Sequence, residues 1–175
     1  VRGTLATEVL AEDLEAAIGL GTERLDVEVE STSLAQLPHL NGTLVITAKA
    51  YANASIAAEL LRKHATGPVV LLQNGLAVER PFVEAGFADI YRCVLYLTSQ
   101  TRAENAFTFR SITSCPIGTV RGNPDLVPRL VETLSTPGLT FHADSQIDRQ
   151  VWKKAFVNCV FNSICPLLDV DNGIF

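Results

Sequence analysis

Three polar side chains recur at four-residue intervals inside an apolar stretch. In VWKKAFVNCVFN, residues 151–162, Lys154, Asn158 and Asn162 stand at i, i+4 and i+8. On an α-helix they form one row, with Cβ atoms about 5–6 Å apart. A lysine in such a row can face an anion or a developing alkoxide, and amides beside it can hydrogen-bond hydroxyls and a carboxylate. A structural alternative is that the two amides cap neighbouring backbone groups while Lys154 snorkels to solvent. Spacing alone leaves both open. Lys153 lies about 100° around the axis from Lys154 and points off the row toward solvent.

Two more polar groups sit where strands end. GTLVITAKA is a β-branched run suited to a buried parallel strand, and it closes on Lys49. PVVLLQNG is a second such strand and closes on Gln73, Asn74 and Gly75. Between them SIAAELLRKHA reads as a helix stopped by Gly67 and Pro68. Strand, helix and strand within about 30 residues make a βαβ unit. Ligands of open α/β sheets bind outside the carboxyl ends of the strands, which places Lys49 and Asn74 to meet one. Against this, Asn-Gly is also a hairpin turn signal, although the following LAVERPFVEA looks helical, and a lone lysine is ordinarily solvated.

Gly19-Leu20-Gly21 is not a phosphate loop, because it follows a helix, EDLEAAIGL, of which Gly19 or Gly21 is the C-cap. If the sheet is doubly wound, its first strand and glycine loop fall upstream of Val1. Arg2-Gly3 then comes just after the second strand, where an arginine neutralises an adenosine 2′-phosphate and selects NADP over NAD.

The elements that must position these groups read as follows. LDVEVE alternates as a strand. IYRCVLYLTS, AFTFRSI and CPIGTV come without helices between them and read as antiparallel strands added to the sheet edge. PDLVPRLVETLS is a helix with proline at its start, and GLTFHAD is a last strand. From Ser145 the pattern is helical through at least Asn162. The expected fold is therefore α/β: an incomplete Rossmann-type sheet of parallel strands plus antiparallel edge strands over residues 1–144, then the start of an all-helical domain over 145–175. No internal repeat or flexible linker interrupts it.

Composition narrows the function classes. Of 175 residues 47% are hydrophobic and 19% charged, which implies a packed core. The net charge of −5 argues against a nucleic-acid partner. No apolar run approaches the ~20 residues that span a bilayer, so no membrane role is expected, and VRGTLATEVL is no signal peptide. Cys93, Cys115, Cys159 and Cys165 show no C-x-x-C spacing and no histidine cluster, so no metal site is expected; they read as reduced, mostly buried thiols of a cytoplasmic protein. The chain opens on Val and closes on DNGIF, and both ends read as cut from a longer protein.

VWKKAFVNCVFNSICPLLDVDNGIF resembles the opening of the helical domain of the ketopantoate reductase (2-dehydropantoate 2-reductase) family. The family pattern is Trp, any residue, Lys, then Asn four and eight residues on, then Asn-Gly ten residues later. Trp152, Lys154, Asn158, Asn162, Asn172 and Gly173 fit it without a gap. TLVITAKAY and LLQNGL look like the family's strand–Lys and Gln-Asn-Gly segments, so the likeness covers essentially the whole chain. The resemblance implies a Rossmann domain followed by a helical one, and NADPH-dependent reduction of a 2-keto acid. It implies that Lys154 is the catalytic lysine at the carbonyl oxygen, that Asn158, Asn162 and Asn172 bind substrate, and that Asn74 stands near both nicotinamide and substrate. Arg2, Lys49 and, on a looser match, Ser99 correspond to cofactor-contacting positions. A homodimer through the helical domain is the implied assembly. The chain departs from the family in lacking the glycine loop and most of the helical domain, including a later serine and acidic residue used on the substrate. Rival readings are another 2-keto acid reductase on this scaffold, a truncated non-catalytic interaction module, and a Schiff-base enzyme using Lys154.

Overall fold

Short strands covered on both faces build the centre of the molecule. The structure, a computed structural model, describes residues 2–9, 23–30, 33–37, 40–103 and 106–170. Strands β3 (Leu44–Ile46), β4 (Val69–Leu71) and β5 (Ile90–Cys93) run parallel. Every residue of β4 and β5 is buried, as the apolar runs of the sequence require of strands with helices on both sides. Helix α1 (Asn53–Arg62) lies on the crossover from β3 to β4, which is the expected βαβ unit, and the single-turn α2 (Arg80–Glu84) lies between β4 and β5. Strand β8 (Cys115–Arg121) adds antiparallel to β5, and β9 (Phe141–Ala143) adds parallel to β8. The order is β3-β4-β5-β8-β9.

A second sheet holds the remaining strands in the order β2-β1-β7-β6. Strand β1 (Arg2–Val9) pairs antiparallel with β2 (Glu23–Glu30) and parallel with β7 (Ala106–Ser111), which forms a hairpin with β6 (Leu97–Ala103).

Here the expected edge strands are corrected. IYRCVLYLTS is two strands, not one. Its first part, β5, is parallel and central; its second part, β6, belongs to the other sheet with AFTFRSI. The reason is burial: β5 is enclosed along its whole length, whereas Thr98, Ser99 and Gln100 of β6 are exposed and have no place inside a covered sheet. CPIGTV is antiparallel, as expected, but sits inside the sheet, with β9 outside it. The expected helix EDLEAAIGL, with Gly19 and Gly21, lies outside the described residues.

The core divides by the alternation of β4, whose successive side chains point to opposite faces. Val69 and Leu71 pack with Ile46, Ala57, Leu60, Phe82 and Phe87, under α1 and α2. Val70 packs with Tyr91, Cys115, Ile117, Val127 and Leu130, under α3 (Val127–Leu134). The fourth helix is α4 (Ile147–Leu168), whose Ile147 and Val151 pack with Val94 at the end of β5.

Gly118 sets how closely α4 approaches. A Cβ at Gly118 would stand 2.2 Å from the Asp144 carbonyl oxygen and 2.7 Å from Ile147 Cβ, distances no packed side chain occupies. Asp144 then orders the helix start: Oδ1 accepts from the Gln146 amide at 2.7 Å and Oδ2 from Gln150 Nε2 at 2.9 Å. These hydrogen bonds hold the Asp144 carboxyl below its ordinary pKa.

Among the described residues no helix is long and apolar enough to cross a membrane, and no three His, Cys, Asp or Glu residues cluster as a metal site. All four cysteines are free; Cys93, Cys115 and Cys165 are buried and Cys159 is exposed.

Candidate active site

The carboxyl ends of β4 and β5 and the first three turns of α4 line an open, shallow cleft. Gln73, Asn74 and Gly75 line it from β4, Arg92, Cys93 and Val94 from β5, and Val151, Lys154, Ala155 and Asn158 from α4. The helical residues fall at i, i+3, i+4 and i+7, one face of a 3.6-residue repeat.

The β4 side is held from below. Gln73 is buried, and its amide forms a reciprocal pair with Asn53: Asn53 Nδ2 donates to Gln73 Oε1 at 2.8 Å and Gln73 Nε2 to Asn53 Oδ1 at 2.7 Å. Gln73 Nε2 also donates to the Ala48 carbonyl at 2.5 Å, and Asn53 Nδ2 to that of Val78 at 2.7 Å. With Gln73 fixed, the next residue, Asn74, is left exposed at the mouth of the cleft. Asn74-Gly75 does not make a hairpin, because the strands on either side are parallel. Gly75 instead turns the chain toward α2 with φ 110°, a left-handed conformation that glycine adopts without steric cost.

Lys154 crosses from α4 to the end of β5. Its Nζ donates to the Leu95 carbonyl and lies 5.7 Å from the centre of the Tyr96 ring, a cation–π arrangement. An ammonium carries three donors, so the Leu95 contact leaves others for a ligand. Burial lowers the Lys154 pKa from its ordinary value; Cys115 and Cys93 act in the opposite direction. Burial also raises both thiols from their ordinary values.

Of the residues singled out in the sequence, the structure brings Asn74, Lys154 and Asn158 to one cleft. Asn162, one turn further along α4, is exposed and outside its lining. Lys49 is exposed just beyond β3, at the same sheet edge. Ser99 is exposed on β6 in the second sheet, and Arg2 opens β1 in that sheet. Asn172 and Gly173 lie outside the described residues. Sequence reasoning passed over Arg92, whose guanidinium pairs with Glu79 at 2.6 Å while 4% exposed. The signal was there: an arginine inside the otherwise apolar run IYRCVL is almost never buried without a partner. Asn53 gave no comparable signal, since asparagine at a helix start is ordinary.

A parallel sheet crossed over by helices, with a polar cleft at the carboxyl ends of its strands, defines an α/β protein whose cleft lies at the edge where open sheets of this class hold their ligands. The chain belongs to the ketopantoate reductase PanE/ApbA family, whose model matches residues 2–122. That match ends before α4. Among solved structures the chain is similar to the ternary structure of D-mandelate dehydrogenase with NADH and anilino(oxo)acetate (TM-score 0.66, 18% identity, 85% of this chain and 49% of that one). It is also similar to the 2-dehydropantoate 2-reductases of Geobacter metallireducens GS-15 (0.62, 23%, 73% and 43%) and Methylococcus capsulatus (0.61, 19%, 79% and 46%). At these identities the likeness is one of fold, and the chain spans about half the length of the structures it matches. No curated protein sequence gives a significant match.

Proposed function

We propose that this chain is part of an NADPH-dependent reductase that converts a 2-keto acid, 2-dehydropantoate, to the 2-hydroxy acid pantoate in the route to pantothenate and coenzyme A. The observation that carries the reading is the convergence of Asn74, Lys154 and Asn158 from distant segments on one cleft, in a chain of this family.

The residues fit a nicotinamide cofactor at the strand ends: Asn74 and Lys49 stand at the carboxyl edge of neighbouring parallel strands, where a dinucleotide lies in such sheets. Arg2, through an adenosine 2′-phosphate, and Ser99 are the further cofactor contacts in this reading. NADPH, when bound, supplies the hydride. Lys154 holds its ammonium at the carbonyl oxygen, where it stabilises the charge that develops there and donates the proton that completes the hydroxyl. Asn158, Asn162 and Asn172 hydrogen-bond the substrate's hydroxyl and carboxylate, and Asn74 orients substrate against cofactor. Residues 145–175 open a helical domain that completes the cleft and carries a homodimer contact, in a cytoplasmic enzyme.

The test is NADPH oxidation by the complete polypeptide with 2-dehydropantoate and a panel of other 2-keto acids. The expected result is highest kcat/KM with 2-dehydropantoate and a preference for NADPH over NADH that Arg2→Ala abolishes. A higher kcat/KM with an aromatic 2-keto acid favours a second reading, a different 2-keto acid on this scaffold, to which the likeness to D-mandelate dehydrogenase points.

A further inference from the structure

Arg92 grips the turn that presents Asn74. Its Nη1 pairs with Glu79 Oε2 at 2.6 Å and its Nη2 donates to the Gly75 carbonyl at 2.9 Å. Between those two anchors the backbone passes twice through the left-handed region, at Gly75 (φ 110°) and at Ala77 (φ 54°). Alanine enters that region only where its surroundings hold it there. The turn is held at a third point by Asn53, which donates to the Val78 carbonyl. Arg92 Nε is buried without a hydrogen-bond partner among the described residues. The guanidinium thus serves Glu79 and Gly75 while its Nε–H donor goes unsatisfied. A hydrocarbon side chain would fill this buried position at a lower desolvation cost; the planar fork adds direction.

We propose that Arg92 is a positioning residue for Asn74: through Gly75 and Glu79 it fixes the turn so that the Asn74 amide faces Lys154 and Asn158 across the cleft. This rests on the reductase reading of that cleft. Arg92 itself need not touch the substrate.

In the complete polypeptide, Arg92→Ala should lower kcat/KM for the 2-keto acid about tenfold or more, yet by less than about twofold once Asn74 is already alanine, because coupled residues are non-additive. Glu79→Gln keeps the side-chain volume and should show the same vanishing effect at about a threefold loss, so the inference stays testable where Arg92→Ala does not fold. Equal losses in both backgrounds, as a merely structural role would produce, overturn it. Hydrogen exchange supplies a readout independent of turnover: amides of residues 74–79 should exchange faster in Glu79→Gln, with β8 and α3 unchanged. Unchanged exchange at 74–79 overturns the clamp even in an active enzyme. A wild-type protein that reduces no 2-keto acid, with faster exchange in Glu79→Gln, overturns the reductase reading and supports the clamp.

Discussion

Along α4, Ile147 and Val151 pack with Val94 against the sheet, and Lys154 and Asn158 line the cleft. One turn further on, Asn162 is exposed, and the apolar side chains of Ile164, Leu167 and Leu168 are exposed as well, Leu167 at 83%. The two halves of one helix share a sequence pattern and differ in what stands opposite them. Only the first half faces the ends of β4 and β5. The four-residue repeat fixes the direction of a side chain around the helix; the neighbouring elements decide whether that direction ends in a cleft or in solvent.

The largest effect should come from breaking the first half at Lys154. Assayed in the complete polypeptide, Lys154→Ala should lower kcat by about 10²–10⁴-fold, the range for a lost acid or oxyanion stabiliser. Lys154→Arg should not rescue it, since the guanidinium is bulkier and holds its proton. The wild-type rate should fall as pH rises through an apparent pKa below the ordinary lysine value of 10.5, in keeping with the direction of the shift. The stability sign follows. The unfolded chain takes up this proton more readily, so below the folded-state pKa the buried ammonium is a penalty that disappears as pH rises past 10.5. Lys154→Met should therefore flatten the rise in melting temperature on the alkaline side. A rate limb that is unmoved in the variants assigns the acid elsewhere.

Next is the contact that sets the first half against the sheet. Gly118→Ala places a methyl group into the Asp144 carbonyl and Ile147, so α4 must shift. Overpacking of this kind costs about 1–3 kcal/mol. The thermal melt should drop, and kcat/KM should fall with it even though Gly118 lines no part of the cleft. A lower melting temperature with intact kinetics would show that the cleft tolerates movement of α4.

The comparison is sharpest between Asn158 and Asn162. Asn158→Ala should cost about 1–3 kcal/mol in transition-state binding, as for a buried partner left unpaired, and Asn162→Ala less. Equal losses, read as kcat/KM with cofactor affinity unchanged, would mean that segments beyond residue 170 bring substrate contacts to the second half.

Much of this was legible in advance for physical reasons. Strands β3 and β4 and their crossover helix are announced by β-branched runs and apolar spacing, which are local signals; the helix itself ends at Arg62, with His64 left-handed, ahead of the expected stop at Gly67-Pro68. The row on α4 is a spacing, and spacing survives folding. What was not legible depends on pairing. IYRCVLYLTS carries no local mark of where it leaves one sheet for another, because that break is set by which residues the helices cover. The turn at residues 74–79 draws on Arg92, Glu79 and Asn53, partners that meet only when β4, β5 and α1 pack.

The smallest expected effect is at Lys153, and it tests the register of the whole comparison. Lys153 and Lys154 are adjacent cations about 100° apart around α4. Lys154 is half-buried with its Nζ on Leu95 and Tyr96, whereas Lys153 is exposed. Lys153→Ala should leave both melting temperature and kcat near wild type, within about 0.5 kcal/mol, as for an exposed surface position. Steady-state assays of Lys153→Ala beside Lys154→Ala read the contrast directly. If alanine at 153 abolishes turnover and alanine at 154 spares it, α4 presents a different face to the strand ends. The cleft assignment, the role of Asn158 and the reductase chemistry built on that row would then fail together.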